Sequence, residues 1–549
     1  MGKETQLKSI PFQELESIPA LVSDALADRC RIPFGFATKV DADWWRERSR
    51  AEAGADHPRD VLVERLLAQN EPLGISDKVR ANIEALCEKS TLAVVTGQQV
   101  GLGGGPLLTL YKAVTAVAFA RHMEQISGVR TVPIFWMATS DHNLFEAAQL
   151  HWIDVKNQLV RLAYDSQDNR VPVGQLPLGD VAVDFTAGLD RDMPDSDFKP
   201  RIMEAVREAY QPEHTFGYAF QKLGNTLLGD AGLIFLNPDE EELKAACKPF
   251  WVRQAEEVDD RLTHLYERSN EIAEAGYHVQ APVHRGRPAL FLHEEGVRRK
   301  VVLEGRSVRA KSDVVISREE LIEFAEQSPE RLSAGVTLRP MLQGYMIPTG
   351  AYIAGPHEMA YWAQLGGAFE PLGLLPPAVI HRASFTLLEA KVVKKLEKLG
   401  EPAESFLKNP EGVTEEIVSR QSRYSVDEAF ERIKTHCGDM HDEFRDLLNA
   451  APFGGLDSAV DNAQSRIRRQ LDTLESKFNQ RLQQHHQDIV NSIERIKVHL
   501  RPAGKFQERV ISPIYYFNRY SPDLVKGLID HAMEKPGHHV FIEVEELFA

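Results

Sequence analysis

Residues Thr91–Arg121 read TLAVVTGQQVGLGGGPLLTLYKAVTAVAFAR. A short apolar run ends in Thr-Gly-Gln-Gln, a glycine cluster follows, and a strongly helical stretch continues from about Pro106 to Gln125. That order predicts a strand, a tight loop and a helix whose first N–H groups face a ligand. A nucleotide P-loop is excluded, because no Gly-Lys-Ser/Thr occurs and Lys112 lies well inside the helix. A dinucleotide loop is excluded as well: Gly101 and Gly103 begin GxGxxG, but Pro106 stands where its last glycine belongs. What remains is a glycine-lined turn with Thr96, Gln98 and Gln99 as polar contacts, suited to a ligand carrying hydroxyls and carboxylates. Close packing of helix on strand explains the glycines equally well.

Working outward, further short apolar runs occur at Thr131–Thr139, Gly232–Pro238, Ala351–Gly355 and Ala378–Arg382, with helical patterns between them. Such alternation predicts an α/β fold with a doubly wound parallel sheet, which collects ligands outside the carboxyl ends of its strands. Phe12–Lys89 reads as mostly helical, with Trp44 and Trp45 burying a connection. Leu150–Asp165 reads as a hairpin, the Pro/Asp-rich stretch to Pro200 as surface loops, and His284–Ser312 as small antiparallel additions. Residues 1–388 are therefore expected to form the core, with insertions at about 150–200 and 280–335.

The last third changes character. Between Ala459 and Leu500 there is no Gly or Pro. Seam positions fall at Ile467, Leu471, Leu474, Phe478, Leu482, His485, Ile489, Ile493, Ile496 and Leu500, in steps of 4, 3, 4 repeated three times. That eleven-residue repeat predicts a long, nearly straight helix. Ala429–Leu448 offers an antiparallel partner and Leu387–Leu399 a third helix. A helical coiled-coil domain over 389–500 is expected to project from the core, with 501–549 returning to it. An apolar seam of this length predicts a homodimer.

Composition narrows the function. The 549 residues are 43% hydrophobic and 26% charged, and 64 Lys and Arg against 81 Asp and Glu leave a net charge of −17. That balance argues against a nucleic-acid binder. The four cysteines show no CxxC or pairing rhythm. No apolar leader and no run of membrane-spanning length occurs, so no membrane partner and a cytoplasmic location are expected. HExxH is missing, and no structural metal is predicted. GxSxG is also missing, which argues against a hydrolase elbow.

Two clusters follow strand ends. Ser140-Asp141-His142-Asn143 places an acid and an imidazole beside the first loop, although Ser, Asp and Asn also cap helices. Gly355-Pro356-His357-Glu358 brings Glu358, Tyr361 and Trp362 to one helical side, where they suit an amino group or a sugar. A first-turn Glu at the helix dipole, with the aromatics in the core, fits equally well.

Taken in order, TGQQVGLGGGPLLTLYK, VPIFWMATSDHNLFE and LRPMLQGYMIPTGAYIAGPHEMAYWAQL resemble the bacillithiol-synthesis cysteine-adding enzymes, and QERV (Gln507–Val510) continues the resemblance. The resemblance implies a Rossmann-like core with connecting-peptide insertions and a coiled coil. It implies a ligase joining the carboxylate of L-cysteine to the amino group of glucosaminyl-malate. On that carry-over Gln98, Asp141 and His142 are the catalytic candidates. Thr96, Gly97, Gln99, Asn143, Glu358, Tyr361 and Trp362 line the pocket, with Arg339 and Gln343 for the malate carboxylates. Many relatives carry Glu-Asp-His-Asp where this chain has Ser140-Asp141-His142-Asn143, which favours Asp141 and His142 over their neighbours. An amide bond needs an activated carboxylate, so ATP or ADP is a candidate ligand, with Arg382, Ser384, Arg501 and Tyr515 as its candidate contacts. No recognised activation motif is present. A metabolite- or nucleotide-binding protein that recruits partners through the coiled coil is therefore the alternative.

Overall fold

A computed structural model describes residues 8–15, 17–163, 171–304, 313–421, 426–450 and 455–548. The chain divides into two units, Met1–Ala390 with Lys505–Ala549, and Lys391–Gly504.

The first unit is built on five parallel strands: β1 (Leu92–Gln98), β2 (Thr131–Met137), β3 (Ile234–Leu236), β4 (Thr349–Ala354) and β5 (Ala378–His381). Their order is β5-β4-β1-β2-β3. The chain steps outward through β2 and β3, then returns to the other side of β1. The strand order therefore reverses between β1 and β4, and a crevice opens there at the carboxyl ends. All five strands are covered on both faces, which is why they read as unbroken apolar runs.

Helix α1 (Leu107–Ser127) follows β1 and ends at Gly128, whose φ of 73° gives the left-handed stop. Pro106 is its N-cap residue, one position before the first turn in which the sequence placed it. Helix α2 (Arg339–Met346) leads into β4 and α3 (Pro356–Trp362) leaves it. On the outer face, Asp41 accepts the Trp44 N–H at 2.9 Å and starts the helix Ala42–Ala53. Trp45 of that helix is fully buried and donates from Nε1 to Thr131 Oγ1 at 3.0 Å.

Three smaller sheets decorate this core. His538–Glu543 pairs with Lys8–Pro11 on one side and Phe385–Leu388 on the other. Leu387 and Leu388 are thus strand residues, and the helix expected from Leu387 starts at Ala390. The strands Leu332–Ala334, Leu290–Glu294, Val297–Leu303 and Val314–Ile316 form the second addition, while residues 305–312 lie outside the described residues. The hairpin is Gln149–Ile153 with Leu159–Ala163, and residues 164–165 again lie outside. The stretch read as loops up to Pro200 contains the helix Asp180–Asp192, with Val181, Phe185 and Leu189 buried. Its apolar residues recur every four positions, a helical period hidden among aspartates.

In the second unit α4 (Val426–Ala450) and α5 (Asp457–Leu500) form an antiparallel pair. Lys434 meets Glu475 at 2.6 Å, Arg445 meets Asp461 at 2.8 Å, and the Phe430 and Phe478 rings lie 5.6 Å apart. The seam is buried from Ile489 to Leu500, yet Ile467, Leu474 and Phe478 stay 36%, 46% and 52% exposed. Residues 451–454, between the two helices, lie outside the described residues. No described helix is long and apolar enough to cross a membrane.

Replacing Trp45 with Ala is expected to cost about 4 kcal/mol, the scale for emptying a buried aromatic site. Chemical denaturation followed by far-UV circular dichroism measures it, and a loss under about 1 kcal/mol would contradict this packing.

Candidate active site

The crevice between β1 and β4 is a cavity of about 370 Å³. Gly97, Gln98 and Gln99 reach it from β1, Tyr352 and the Gly355–Glu358 turn from β4, Arg339 from α2, and Lys112 from α1. A Cβ at Gly97 would stand 2.8 Å from the Trp136 carbonyl oxygen, so the strand end admits only glycine there.

Lys112 organises this wall. Its side chain is 2% exposed, and its ammonium donates to Gly97 O at 2.6 Å, to Gln98 Oε1 at 3.0 Å and to Glu358 Oε2. The Gln98 amide oxygen is thereby turned to Lys112, leaving its NH₂ as the group offered to the cavity. Glu358 also accepts from Tyr352 Oη at 2.8 Å and from the Gly355 N–H at 2.8 Å. Burial pushes the Glu358 carboxyl up, but Lys112 and the Gly355 N–H outweigh it and hold the group below the usual carboxylate range. Burial likewise pulls the Lys112 ammonium down, against the attraction of Glu358.

Arg339 donates to Gln343 Oε1 at 3.0 Å and to the Tyr361 hydroxyl at 2.7 Å. Gln343 is fully buried and supports Arg339 from behind, so of this expected pair only Arg339 reaches the cavity. Tyr361 lines the crevice; Trp362 does not, being fully buried and stacked on Tyr352 at 4.9 Å. Thr96 is turned away too, its hydroxyl bonded to Ile353 O at 2.9 Å between the strands.

Asp141 and His142 line a neighbouring cavity that shares Trp136, Ala138 and Arg339 with the crevice. The Gln99 Nε2 amide donates to Asp141 Oδ2 and joins the two walls. The Asn143 N–H donates to Asp141 Oδ1 at 3.1 Å. Asp141 and His142 are 4.0 Å apart, beyond hydrogen-bond reach, so Asp141 does not fix the imidazole tautomer. Asn143 caps the short helix Leu144–Ala147, the bland reading of that position.

The glycine cluster itself is packing. Gly103 has φ 58°, and a Cβ there would meet Leu150 and Ile514 within 3 Å. Its N–H is held by the Tyr210 hydroxyl at 2.7 Å, and the Leu107 N–H by Ile511 O at 2.8 Å. Of the amides expected to face a ligand, those of Gly103 and Leu107 are held by the protein.

Of the four expected nucleotide contacts, three stand in the first unit and are committed to internal carboxylates. Arg382 forms a two-pronged pair with Glu508 at 2.9 and 2.5 Å, and Ser384 donates to the same carboxylate at 2.9 Å. Tyr515 donates to Glu389 at 2.7 Å. Arg501 belongs to the helical unit, where it donates to Leu407 O at 2.9 Å. Only Arg382 lines the crevice, together with Arg509, which meets His357 Nδ1 at 3.1 Å.

A family model described as "Bacillithiol biosynthesis BshC, N-terminal Rossmann-like domain" matches residues 6–383, and one described as "Bacillithiol biosynthesis BshC, C-terminal coiled-coil domain" matches 385–544. The chain belongs to the BshC family. A relative from Salinibacter ruber, named "Putative cysteine ligase BshC", is 34% identical over 521 residues, covering 92% of this chain and 93% of its own. One of the same name from Bacillus cytotoxicus is 30% identical over 490 residues, covering 88% and 90%. Within this BshC frame the sequence reading missed Lys112, Tyr352 and Arg509 as site residues, although Lys112 and Arg509 stand in the YK and QERV segments that carried the resemblance.

Lys112→Met is expected to cost about 3–5 kcal/mol of stability, because Glu358 keeps its charge without its cation. Lys112→Arg should fail to restore it, since a guanidinium does not fit so closed a slot. Thermal unfolding of both variants reads this; a wild-type Tm in Lys112→Met would contradict the strut. A pH effect follows from the buried histidines. Burial holds His381 at about 3 and His539 at about 4, below the ~6.5 of an unfolded chain. The unfolded state therefore binds more protons between pH 6.5 and 4, and stability falls as pH drops through that window. Glu508, held at about 2 by Arg382 against the opposing effect of burial, extends the loss below pH 4.5. Tm recorded from pH 7 to 4 should fall, less steeply in His539→Gln; a flat profile would contradict the neutral buried imidazoles.

Proposed function

We propose that the chain is an amide-forming cysteine ligase that joins the carboxylate of L-cysteine to the amino group of glucosaminyl-malate, giving bacillithiol. The observation that carries this reading is the polar crevice at the strand-order reversal, in a chain whose relatives bear the cysteine ligase name. Those names speak for the ligase over the alternative of a partner-recruiting binding protein.

The residues suit the chemistry in distinct ways. The Gln98 NH₂ is a preset donor for a carbonyl oxygen that gains charge as the amine attacks. Arg339 and Arg509 supply the positive field that draws a carboxylate into the crevice. The attacking amine must shed a proton, and in this reading Asp141 and His142, in the adjoining cavity and joined to the crevice through Gln99, receive it. A free carboxylate does not condense with an amine, so a co-substrate such as ATP must activate it. Arg382, Ser384 and Tyr515 are committed to internal carboxylates and do not fit as its cradle, so no step is assigned to them.

Incubation of the protein with L-cysteine and glucosaminyl-malate, with and without ATP and magnesium, tests the reading by mass spectrometry. Amide-linked thiol formed only with ATP is expected, and Gln98→Ala should slow it about 100-fold, the scale of one lost oxyanion donor. A folded protein giving no product in either mixture would contradict it.

We further propose that the ligase works in the cytoplasm as a homodimer joined through the helical pair. Met440, Phe444, Leu447, Leu456 and Ile467 surround an apolar cavity of about 530 Å³, and Leu447 is 65% exposed. Sedimentation should show a dimer that Leu447→Glu with Phe444→Glu dissociates; an unchanged dimer would place the contact elsewhere.

A further inference from the structure

We propose that the cavity beside the crevice is a subsite for a dicarboxylate, with Lys244 and Arg298 as its recognition pair. Assigning that dicarboxylate to the acceptor substrate rests on the ligase reading above; the anion site itself does not. The cavity measures about 580 Å³ and lies beyond the carboxyl ends of β2 and β3, against the four-stranded addition.

Lys244 is the decisive residue. It stands in the helix Glu241–Ala246, lines the cavity, and is only 5% exposed. Among the described residues no hydrogen bond or ion pair reaches its ammonium. A buried cation without a partner is costly, so a protein that keeps one has a use for the charge. Burial lowers its proton affinity, and Asp239 acts on it only through space, in the opposite sense. That carboxylate lines the same cavity and accepts the Thr139 hydroxyl at 2.5 Å, with no hydrogen bond to the ammonium.

Arg298 supplies the second cation. It is 7% exposed, and its guanidinium lies 3.7 Å from the Phe291 ring centroid. Nε donates to Ser333 Oγ at 3.1 Å and Nη2 to Ala334 O at 3.0 Å. These contacts fix the plane of the fork while Nη1 stays open to the cavity. His293 also meets Ser333 Oγ, at 2.9 Å, and burial with the nearby Lys244 pulls it down to about 4, so it adds no charge at neutral pH. An ammonium with three open donors and a guanidinium with a free edge match two carboxylates. Trp251, Leu262 and Leu265 offer an apolar surface for the carbon chain between or beside them.

The cavity shares Trp136, Ala138, Val336 and Arg339 with the crevice, so the two adjoin along that wall. An acceptor anchored here by its dicarboxylate end would present its amine past Asp141 and His142 toward Gln98. The subsite thereby separates the acceptor from L-cysteine, which has a single carboxylate.

Isothermal titration of the full chain with succinate, L-lactate and inorganic phosphate tests the subsite. Succinate should bind wild type more tightly than lactate or phosphate. Binding should weaken at least tenfold in Lys244→Met and in Arg298→Lys, and stay unchanged in Gln98→Ala. Lys244→Met should have a Tm no lower than wild type, because it removes an unpaired buried charge; a merely structural lysine would lower it. In turnover the same variant should raise KM for glucosaminyl-malate at least tenfold and leave KM for L-cysteine within twofold. Succinate binding that is missing in wild type, equal in Lys244→Met, or weaker than that of phosphate would overturn the subsite. A KM effect on cysteine alone would overturn its assignment to the acceptor. Wild type that binds succinate but makes no product would sink the ligase reading and leave the anion site standing.

Discussion

A buried ion pair between Lys112 of α1 and Glu358 of α3 holds the crevice together. The two helices follow β1 and β4, the neighbouring strands between which the sheet reverses its order. Lys112 also takes the Gly97 carbonyl and the Gln98 amide oxygen, so all three of its protons are used within the protein. Glu358 in turn takes Tyr352 and the Gly355 N–H, which begins α3. One contact therefore sets the separation of the two strand ends, the orientation of Gln98 and the start of the second helix. Removing either charge would leave the other stranded in a site of low dielectric.

The glycine cluster and the residues before it have separate roles. Gly103–Gly105 adopt positive φ and let the loop pack against the hairpin and the C-terminal segment. Thr-Gly-Gln-Gln, at the strand end itself, carries the polar groups. The Gly103 and Leu107 N–H groups are taken up within the protein. Side-chain amides, arginines and carboxylates line the crevice instead, which suits substrates rich in carboxylates and amines.

The five strands were legible because a doubly covered parallel strand is a short apolar run bounded by polar residues, with helical patterns between the runs. The same property hid the orientation of their residues. With both faces buried there is no alternation to read, so Thr96 reads as fit for the pocket as Gln98. On the helix α3, Tyr361 and Trp362 are adjacent residues, and only the fold turns one to the crevice and the other to the core. Lys112 was set aside as a failed P-loop lysine, since nothing local shows that Glu358, far along the chain, comes to meet it. Lys244 follows Asp239, Glu240, Glu241 and Glu242 with nothing local to mark it, and its burial is a tertiary fact. The helix Asp180–Asp192 was lost among its aspartates. Asn143, by contrast, proved the simple cap that its residue type announced.

The central claim is that amide formation takes place at the reversal between β1 and β4. A crystal structure of the protein with its amide product bound tests it most directly. The new amide should lie beside the Gln98 NH₂, between Glu358 on one side and Asp141 with His142 on the other. Product lodged against the glycine cluster, or held on the helical pair with the crevice empty, would contradict it.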